Sequence, residues 1–190
     1  MLDRDYVPED LLNLSDFVPA TKSAIYFNSQ AVSDYVAMIN EMDEYGLRDL
    51  YAVSGYRTYY QQDSLYKERV GSMSSYMEAE RAKIEAGRII APPGASEHQT
   101  GLALDVSSRS VGFALNNNFV KTPEYAWLLD NCHRYGFIIR YPADKTDVTD
   151  IIFEPWHLRY VGAEHAAVIY ESGMCLEDYI ETMSIKGESQ

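Results

Sequence analysis

The sequence lacks the features that membrane-spanning and nucleic-acid-binding proteins share. No apolar run approaches the roughly 20 residues that a membrane-spanning helix needs. The opening residues, Met1 to Asp5, have neither the basic nor the apolar region of a signal peptide. Basic residues are few, with 16 Lys and Arg against 29 Asp and Glu, and the net charge of −13 repels phosphate backbones and anionic lipids. We therefore expect no nucleic-acid partner and no membrane segment.

Cysteine is also scarce, and its spacing excludes the usual cysteine-based scaffolds. Cys132 and Cys175 lack the paired spacing of a zinc knuckle or of a disulfide framework. Because Cys132 follows Leu128 by four residues on a predicted helix, we expect it to be a buried thiol. A single disulfide between the two cysteines is the alternative.

The length and composition fit one globular domain with one active site. Of the 190 residues, 46% are hydrophobic and 24% are charged, and neither internal repeats nor low-complexity tracts occur. We expect a single catalytic domain over residues 1–190, with a motif-bearing core over about 6–162 and C-terminal helices over 163–190. We also expect a monomer.

The sequence leaves two locations open. The segment from Tyr6 to Asp10 resembles an entry into a domain, so the chain can be a piece of a longer protein. A location in the cell envelope is expected if a leader or anchor has been removed. A cytoplasmic location is expected if the chain is complete.

Periodicity predicts short strands and helices that do not alternate regularly. Helices are expected over residues 30–44, 60–70, 76–88, 123–135, 163–171 and 176–183, and strands over 50–53, 102–106, 137–141 and 151–160. Pro155 lies inside the last strand and predicts an edge or a bulge there. The pattern favours an α+β fold, with a small antiparallel or mixed sheet flanked by helices.

Two imidazoles and two carboxylates lie in two short segments of the chain. Catalytic zinc usually takes three nitrogen or oxygen ligands and leaves a fourth position for water. His98, Asp105 and His157 provide such a set. Gly101 tolerates unusual dihedral angles and could let the loop turn back so that His98 and Asp105 converge. We therefore expect a zinc site at the sheet.

The remaining carboxylate, Glu154, is better suited to be a base than a fourth ligand. A site with four protein ligands is structural, whereas an open site lowers the pKa of bound water and lets a nearby carboxylate take its proton. Glu154 and His157 are three residues apart, and in a regular strand they would point to opposite faces. The prediction therefore requires that Pro155 distort the strand.

Spacing alone also allows an ordinary structural role for each of these residues. A single His, Asp or Glu in a globular protein is most often a surface residue or a satisfied core residue. His133 and His165 lie on predicted helices without a ligand-like partner. We expect both of them to be structural or solvent-facing.

The order of the motifs resembles that of a known enzyme family. Ser-x-His-x-x-Gly-x-Ala-x-Asp at 96–105, followed by Glu-x-x-His at 154–157, is similar to the D-alanyl-D-alanine carboxypeptidase and dipeptidase family of vancomycin resistance, with its VanY-like and VanX-like members. The likeness extends to Ser-Gly-Tyr-Arg at 54–57, Gly-Phe-Ile-Ile-Arg-Tyr-Pro at 136–142 and Glu-Pro-Trp-His-Leu-Arg-Tyr-Val-Gly at 154–162. In order and spacing it covers about residues 6–162.

The resemblance implies one zinc ion per chain, bound by His98, Asp105 and His157, with Glu154 as general base. It also implies that Arg57 binds the carboxylate of the substrate or stabilises the tetrahedral oxyanion. A guanidinium suits either role, because its paired donors fit a carboxylate and it stays charged at any working pH.

Three further residues have roles that the resemblance suggests. Gln62 and Ser96 match positions that help to hold the C-terminus of the peptide in VanY-like relatives. Without the resemblance they would be taken as a helix-surface amide and a loop hydroxyl. Trp156 is expected to form a wall of the pocket, and an ordinary core tryptophan is the alternative.

The expected function is removal of the terminal D-Ala from peptidoglycan stem peptides or their precursors. L,D-carboxypeptidases that trim tetrapeptides tend to have Tyr three residues before the catalytic Glu, and Ile151 here favours a substrate that ends in D-Ala-D-Ala. An L,D-carboxypeptidase and a D,D-dipeptidase are alternatives within the family. Outside the family's exopeptidases, the alternatives are a catalytically idle, zinc-stabilised module that binds peptidoglycan and a phage-type endopeptidase.

Overall fold

An antiparallel sheet of four strands lies at the centre of the fold in the computed structural model, which describes residues 1–188. The strands of the chain are β1 (Leu11–Asn13), β2 (Tyr26–Asn28), β3 (Leu50–Ser54), β4 (Ala103–Ser108), β5 (Phe137–Tyr141) and β6 (Glu154–Tyr160). The helices are α1 (Ser29–Glu44), α2 (Tyr59–Ser74), α3 (Ala79–Gly87), α4 (Pro123–Asn131), α5 (Thr146–Thr149), α6 (Ala163–Ser172) and α7 (Leu176–Glu188). This confirms the predicted α+β fold with a small sheet flanked by helices.

The strand order of the central sheet is β3-β4-β6-β5, and each neighbouring pair is antiparallel. Strands β1 and β2 form a separate antiparallel pair. The central order places β4 and β6 side by side in the interior of the sheet. Side chains from these two strands can therefore meet on one face.

Strand β6 is an interior strand, so the prediction that Pro155 marks an edge is wrong. The alternative, a bulge, is confirmed by the register against β5. Ile139 pairs with Leu158 and Tyr141 pairs with Glu154, so β5 advances by two residues while β6 advances by four. Proline has no N–H to donate to the ladder, and an interior strand accommodates it where the ladder opens.

The main core lies between the sheet and helix α1. This helix starts after Asn28, whose side chain accepts a hydrogen bond from the backbone N–H of Gln30 and caps the first turn. Its buried residues recur at helical spacing: Ala31, Val32, Tyr35, Met38 and Met42. Tyr35 meets Phe137 of β5 edge to face, with ring centroids 5.7 Å apart. Burial of this apolar face fixes α1 against the sheet.

The C-terminal helices cover part of strand β5. Ile138 of β5 is buried with residues of α6 and α7, which are Ala166, Ile169, Leu176 and Tyr179. A third cluster joins α2 to α3 through Met73, Ala82 and Ala86. The C-terminal helices are thus packed onto the sheet.

Most predicted elements are present, with some changes at their ends. Helix α4 ends at Asn131, and a 3₁₀ turn over Cys132–Tyr135 completes the segment that was predicted as one helix. The strand predicted from Ile151 begins only at Glu154. Among residues 1–188, no helix has the length and apolar character needed to cross a membrane.

Both cysteines are buried free thiols, so the alternative of a disulfide between them is wrong. The Sγ of Cys132 lies 3.4 Å from the carbonyl oxygen of Phe137. Burial raises the pKa of the Cys132 thiol to about 12, which keeps it protonated and unreactive. The predicted buried thiol is confirmed.

Candidate metal centre and peptide groove

Three side chains from different elements converge at the sheet. His98 comes from a 3₁₀ turn over Glu97–Thr100, Asp105 from β4 and His157 from β6. One ligand atom from each residue lies within 4.8 Å of the other two, and all three residues are buried. Asp105 and His157 are register partners in the β4–β6 ladder, so the sheet itself sets their distance.

The turn between His98 and β4 depends on Gly101. Its φ is +70°, in the left-handed region, and its N–H donates to the carbonyl of His98. A Cβ at this position would lie 2.7 Å from Cδ2 of Leu11. The glycine lets the chain reverse into β4, as the sequence predicts, and brings His98 next to Asp105.

The two imidazoles present different nitrogens to the shared space. Nδ1 of His98 lies 2.7 Å from the carbonyl oxygen of Gly55 and must donate to it, which leaves Nε2 as the free lone pair. This Nε2 is 3.3 Å from Oδ2 of Asp105. His157 approaches from the other side, with its Nδ1 3.3 Å from Oδ1 of Asp105. The arrangement offers two nitrogens and a carboxylate to one ion.

Glu154 lies beside this cluster on the same side of the sheet. Its Oε2 is 3.5 Å from Nδ1 of His157, so the two side chains face one site in spite of their three-residue offset. The bulge at Pro155 produces this, since a regular strand would point them to opposite faces. The carboxylate is close enough to act on a molecule bound at the cluster.

The pKa shifts describe a buried, electronegative site. Burial raises the pKa of Glu154 to about 7 and lowers the pKa of His98 to about 4, so His98 is neutral, the form that binds metals. Burial would lower the pKa of His157, but the Asp105 and Glu97 carboxylates outweigh it and raise the pKa to about 9. Burial would raise the pKa of Asp105, and the two histidines hold it well below its usual range. A metal cation would take the place of the proton that this site attracts.

Arg57 follows β3 and reaches the cluster from one side. Its Nη2 is 3.0 Å from Oδ2 of Asp105, and its Nη1 donates to Oε1 of Gln62 at 2.8 Å. Gln62 is buried in α2, where its amide also donates to the carbonyl of Ala91 at 2.7 Å. Nε of Arg57 is buried and has no hydrogen-bond partner in the described part of the chain. The guanidinium is held in place and keeps donor capacity for a ligand.

An open groove of about 1490 Å³ passes over the cluster. Arg57, Gln62, Ser96, Trp156 and all four residues of the predicted metal and base set line it. Trp156 also packs against the main core, so its two predicted roles coexist. The groove continues past Leu65 and Arg69 in one part and past Asn116–Asn118 in another, which gives it room for a peptide.

Two residues of the site were not predicted. The ring of Tyr141 lies 4.9 Å from that of His157 and lines the groove. Glu97 is buried beside the cluster, with Oε2 3.7 Å from Nε2 of His157. Both residues lie inside the sequence motifs given above. Beyond that, only their residue types, a tyrosine and a carboxylate, could have indicated a role in the site.

The other two histidines lie outside the cluster. His133 stacks on Tyr170, with ring centroids 3.8 Å apart, and Nδ1 of His165 is 2.7 Å from the hydroxyl of Tyr179. Both contacts tie the C-terminal helices to neighbouring elements. These placements agree with the structural roles expected for them.

Gly55 supports the site through its backbone, and substitution there is expected to destabilise the fold. A Cβ at Gly55 would lie 2.3 Å from the carbonyl oxygen of Tyr26, a backbone atom that is already hydrogen-bonded to Tyr56. We expect Gly55→Ala to lower the free energy of unfolding by about 1–3 kcal/mol, as for an overpacked core. Chemical denaturation measures this.

Gly71 in α2 provides the matched control, because a Cβ there would meet nothing within 4 Å. Alanine is the better helix former, so Gly71→Ala should stabilise the protein by up to about 1 kcal/mol. Equal stability of the two variants would contradict the close approach at Gly55.

A family model described as VanY, D-alanyl-D-alanine carboxypeptidase, matches residues 24–163. A putative carboxypeptidase of Bacillus subtilis, YodJ, is 42% identical over 183 residues, which is 95% of this chain and 63% of the relative. The chain spans between 46% and 66% of the length of four curated relatives.

Solved structures with the same fold include an LD-carboxypeptidase and a D,D-pentapeptidase. The LdcB LD-carboxypeptidase is 41% identical with a TM-score of 0.84, and the match covers 95% of this chain and 81% of LdcB. VanYB in complex with D-alanine-D-alanine is 35% identical with a TM-score of 0.79, over 95% and 92% of the two chains. A VanY D,D-pentapeptidase in complex with Zn(II) is 33% identical with a TM-score of 0.75, over 94% and 93%.

Proposed function

Because the chain belongs to the VanY family of D-alanyl-D-alanine carboxypeptidases, we propose that it is a zinc carboxypeptidase that removes the C-terminal D-Ala from peptidoglycan stem peptides or their precursors. The observation that carries the proposal is the buried His98, Asp105 and His157 cluster with Glu154 beside it. Three ligands, a free base and an open groove are the parts that a metallopeptidase needs.

Zinc is the metal that fits this donor set. Two imidazole nitrogens and one carboxylate oxygen form a common catalytic zinc site and leave one position open. The ligand atoms of His98, Asp105 and His157 lie close enough together to share one ion, and a related VanY structure holds Zn(II). We assign these three residues as the zinc ligands.

Bound zinc supplies a Lewis acid that polarises the scissile carbonyl and lowers the pKa of water. Glu154 takes a proton from the attacking water and passes it to the leaving amine, as a general base and then a general acid. Its burial next to His157 places the carboxylate for both transfers. The products are a peptide shortened by one residue and free D-Ala.

Arg57 is the residue that binds the free C-terminus of the substrate. Its guanidinium borders the groove, with Gln62 fixing one amino group, and Ser96 lines the same region. A carboxylate in the groove would pair with the remaining donors. Recognition of a free terminal carboxylate by Arg57 favours an exopeptidase over an endopeptidase.

Substitution of Arg57 tests this role. A hydrogen-bonded contact with a charged group contributes about 1.5–3 kcal/mol, so Arg57→Ala should lower kcat/KM on a free-acid peptide by about 10- to 100-fold, mainly through KM. A peptide with an amidated C-terminus is the control substrate, and its slow hydrolysis should barely change. An equal loss on both substrates would show that Arg57 acts elsewhere, for instance only through its ion pair with Asp105.

Two observations bear on which of the family's substrates this chain prefers. The likeness to the LdcB LD-carboxypeptidase favours an L,D-carboxypeptidase that trims tetrapeptides. Ile151, which lines the groove in place of the Tyr expected for such enzymes, favours a peptide ending in D-Ala-D-Ala. We propose the D,D-carboxypeptidase as the main activity.

A panel of three substrates separates these activities. Zinc-loaded protein is incubated with a stem pentapeptide, the corresponding tetrapeptide and free D-Ala-D-Ala, and the products are followed by mass spectrometry. We expect the pentapeptide to be hydrolysed fastest. Faster release from the tetrapeptide would assign an L,D-carboxypeptidase, and faster hydrolysis of the dipeptide would assign a D,D-dipeptidase. Binding without turnover would indicate an idle module, which has no use for the base Glu154.

A further inference from the structure

A buried network of charged side chains connects the metal centre to the C-terminal helix α7. Glu97 stands next to His98 in sequence, accepts a hydrogen bond from Nε of Arg140 at 2.7 Å and forms an ion pair with Nη1 of Arg159 at 3.0 Å. Both of these contacts use the same oxygen, Oε1. The other oxygen, Oε2, is buried and faces His157.

The space between Glu97 and His157 contains a complementary pair of unsatisfied atoms. Oε2 of Glu97 and Nε2 of His157 are 3.7 Å apart, and neither has a hydrogen-bond partner among the residues whose side chains are described. The distance exceeds that of a normal N–H···O bond, about 2.7–3.2 Å. A shift of the His157 ring by less than 1 Å would bring the two atoms within hydrogen-bond distance. Buried polar atoms of this kind are rarely left unpaired, so the gap points to a bond that forms in a functional state.

Nε2 of His157 is the ring nitrogen that faces away from the metal site. Nδ1 of His157 points toward Asp105 and Glu154, so Nε2 must carry the proton when Nδ1 binds an ion. A carboxylate that accepts this proton fixes the tautomer and makes the imidazole a better ligand. Glu97 is the carboxylate in place to do this.

Arg140 extends this network of charged side chains to α7. Its Nη1 and Nη2 donate to the two carboxylate oxygens of Glu177 at 2.9 Å and 2.5 Å, which is a bidentate pair. The side chain of Arg140 is only 8% exposed, so its charge needs both Glu97 and Glu177. Glu177 lies in the first turn of α7, beyond the residues 24–163 that match the family model.

We infer that Glu97 is a positioning residue that accepts a hydrogen bond from Nε2 of His157 and thereby presents Nδ1 to the zinc, and that Arg140 and Glu177 hold Glu97 in place. The inference rests on the proposed function, because it assumes that the cluster binds zinc. It assigns helix α7 a part in the metal centre in addition to its packing on the sheet.

The test is the dissociation constant for Zn²⁺, measured by competition with a chromophoric chelator in the absence of substrate. Removing an outer-shell partner of a histidine ligand typically weakens metal binding by about 10- to 100-fold, and we expect this range for Glu97→Ala. Glu97→Gln keeps an acceptor oxygen and should weaken binding less. Glu177→Gln should weaken it by a smaller factor, since Arg140 retains Glu97. The absorption spectrum of the Co²⁺-loaded protein should change in Glu97→Ala, because the geometry of the His157 ligand changes.

Glu181→Gln is the control on the same helix, because Glu181 is exposed, and its affinity should equal that of the parent protein. A purely structural role for Glu97 would lower the melting temperature of the metal-free protein and leave both the Zn²⁺ affinity and the Co²⁺ spectrum unchanged, which overturns the inference. If Glu97→Ala does not fold, an unchanged affinity in Glu97→Gln overturns it as well. An unchanged affinity in Glu177→Gln removes α7 from the network. If the parent protein binds no Zn²⁺, the proposed function itself is contradicted. That result is distinct from an unchanged affinity in the variants.

Discussion

Replacing Glu154 by glutamine is expected to lower kcat for D-Ala release by about 10²- to 10⁴-fold, the usual contribution of a general acid–base group. The amide has nearly the same shape as the carboxylate, so the bulge of β6 and the neighbouring His157 should stay in place. An amide cannot take a proton from water. The measurement is steady-state D-Ala release together with the zinc content of the purified variant.

The zinc content separates loss of the base from loss of the metal. Because Glu154 is not assigned as a ligand, the variant should bind zinc as the parent protein does. Glu164→Gln, an exposed position on α6, is the matched control and should keep full activity. Activity of the Glu154 variant above about one tenth of the parent value would contradict the role of general base.

Removal of the metal is expected to have an equally large effect, on both activity and stability. A catalytic metal contributes several kcal/mol of transition-state stabilisation, so chelation should reduce turnover on the order of 10³-fold or more, and added Zn²⁺ should restore it. An ion that binds only the folded state also stabilises it, by about 4 kcal/mol at a free concentration 1,000 times the dissociation constant. Chelation should therefore lower the melting temperature.

Asp105→Ala distinguishes the metal effect from other effects of the chelator. Asp105 is the proposed ligand that contacts both histidines and Arg57, so its loss should remove zinc binding and activity together. The melting temperature of this variant should then be insensitive to chelator and to added Zn²⁺. A parent protein whose activity and melting temperature do not respond to chelation would contradict the metal assignment.

The sequence predicted the elements that carry strong local signals. Helix α1 has buried residues at regular helical spacing, and Gly101 has the residue type that a left-handed turn requires. The short strands β1 and β2 were missed, because three residues each give too short a pattern for periodicity. Their pairing is set by the tertiary fold.

Some features of the site depend on strand register and on contacts between residues far apart in the chain, and local sequence patterns do not give these. The sequence alone left Glu154 and His157 on opposite faces, and only the register of β6 against its two neighbours shows how the bulge brings them together. The placement of Pro155 at a sheet edge failed for the same reason, since strand order depends on contacts far apart in the chain. Glu97 was not predicted as part of the site, because its partner Arg140 lies 43 residues away in the chain.

The most direct test of the proposed function is the product that zinc-loaded protein forms from a stem pentapeptide ending in D-Ala-D-Ala. We expect one equivalent of free D-Ala and the tetrapeptide, with no product in a chelated sample. An intact pentapeptide, or cleavage at an interior bond, would contradict the assignment of a zinc D,D-carboxypeptidase.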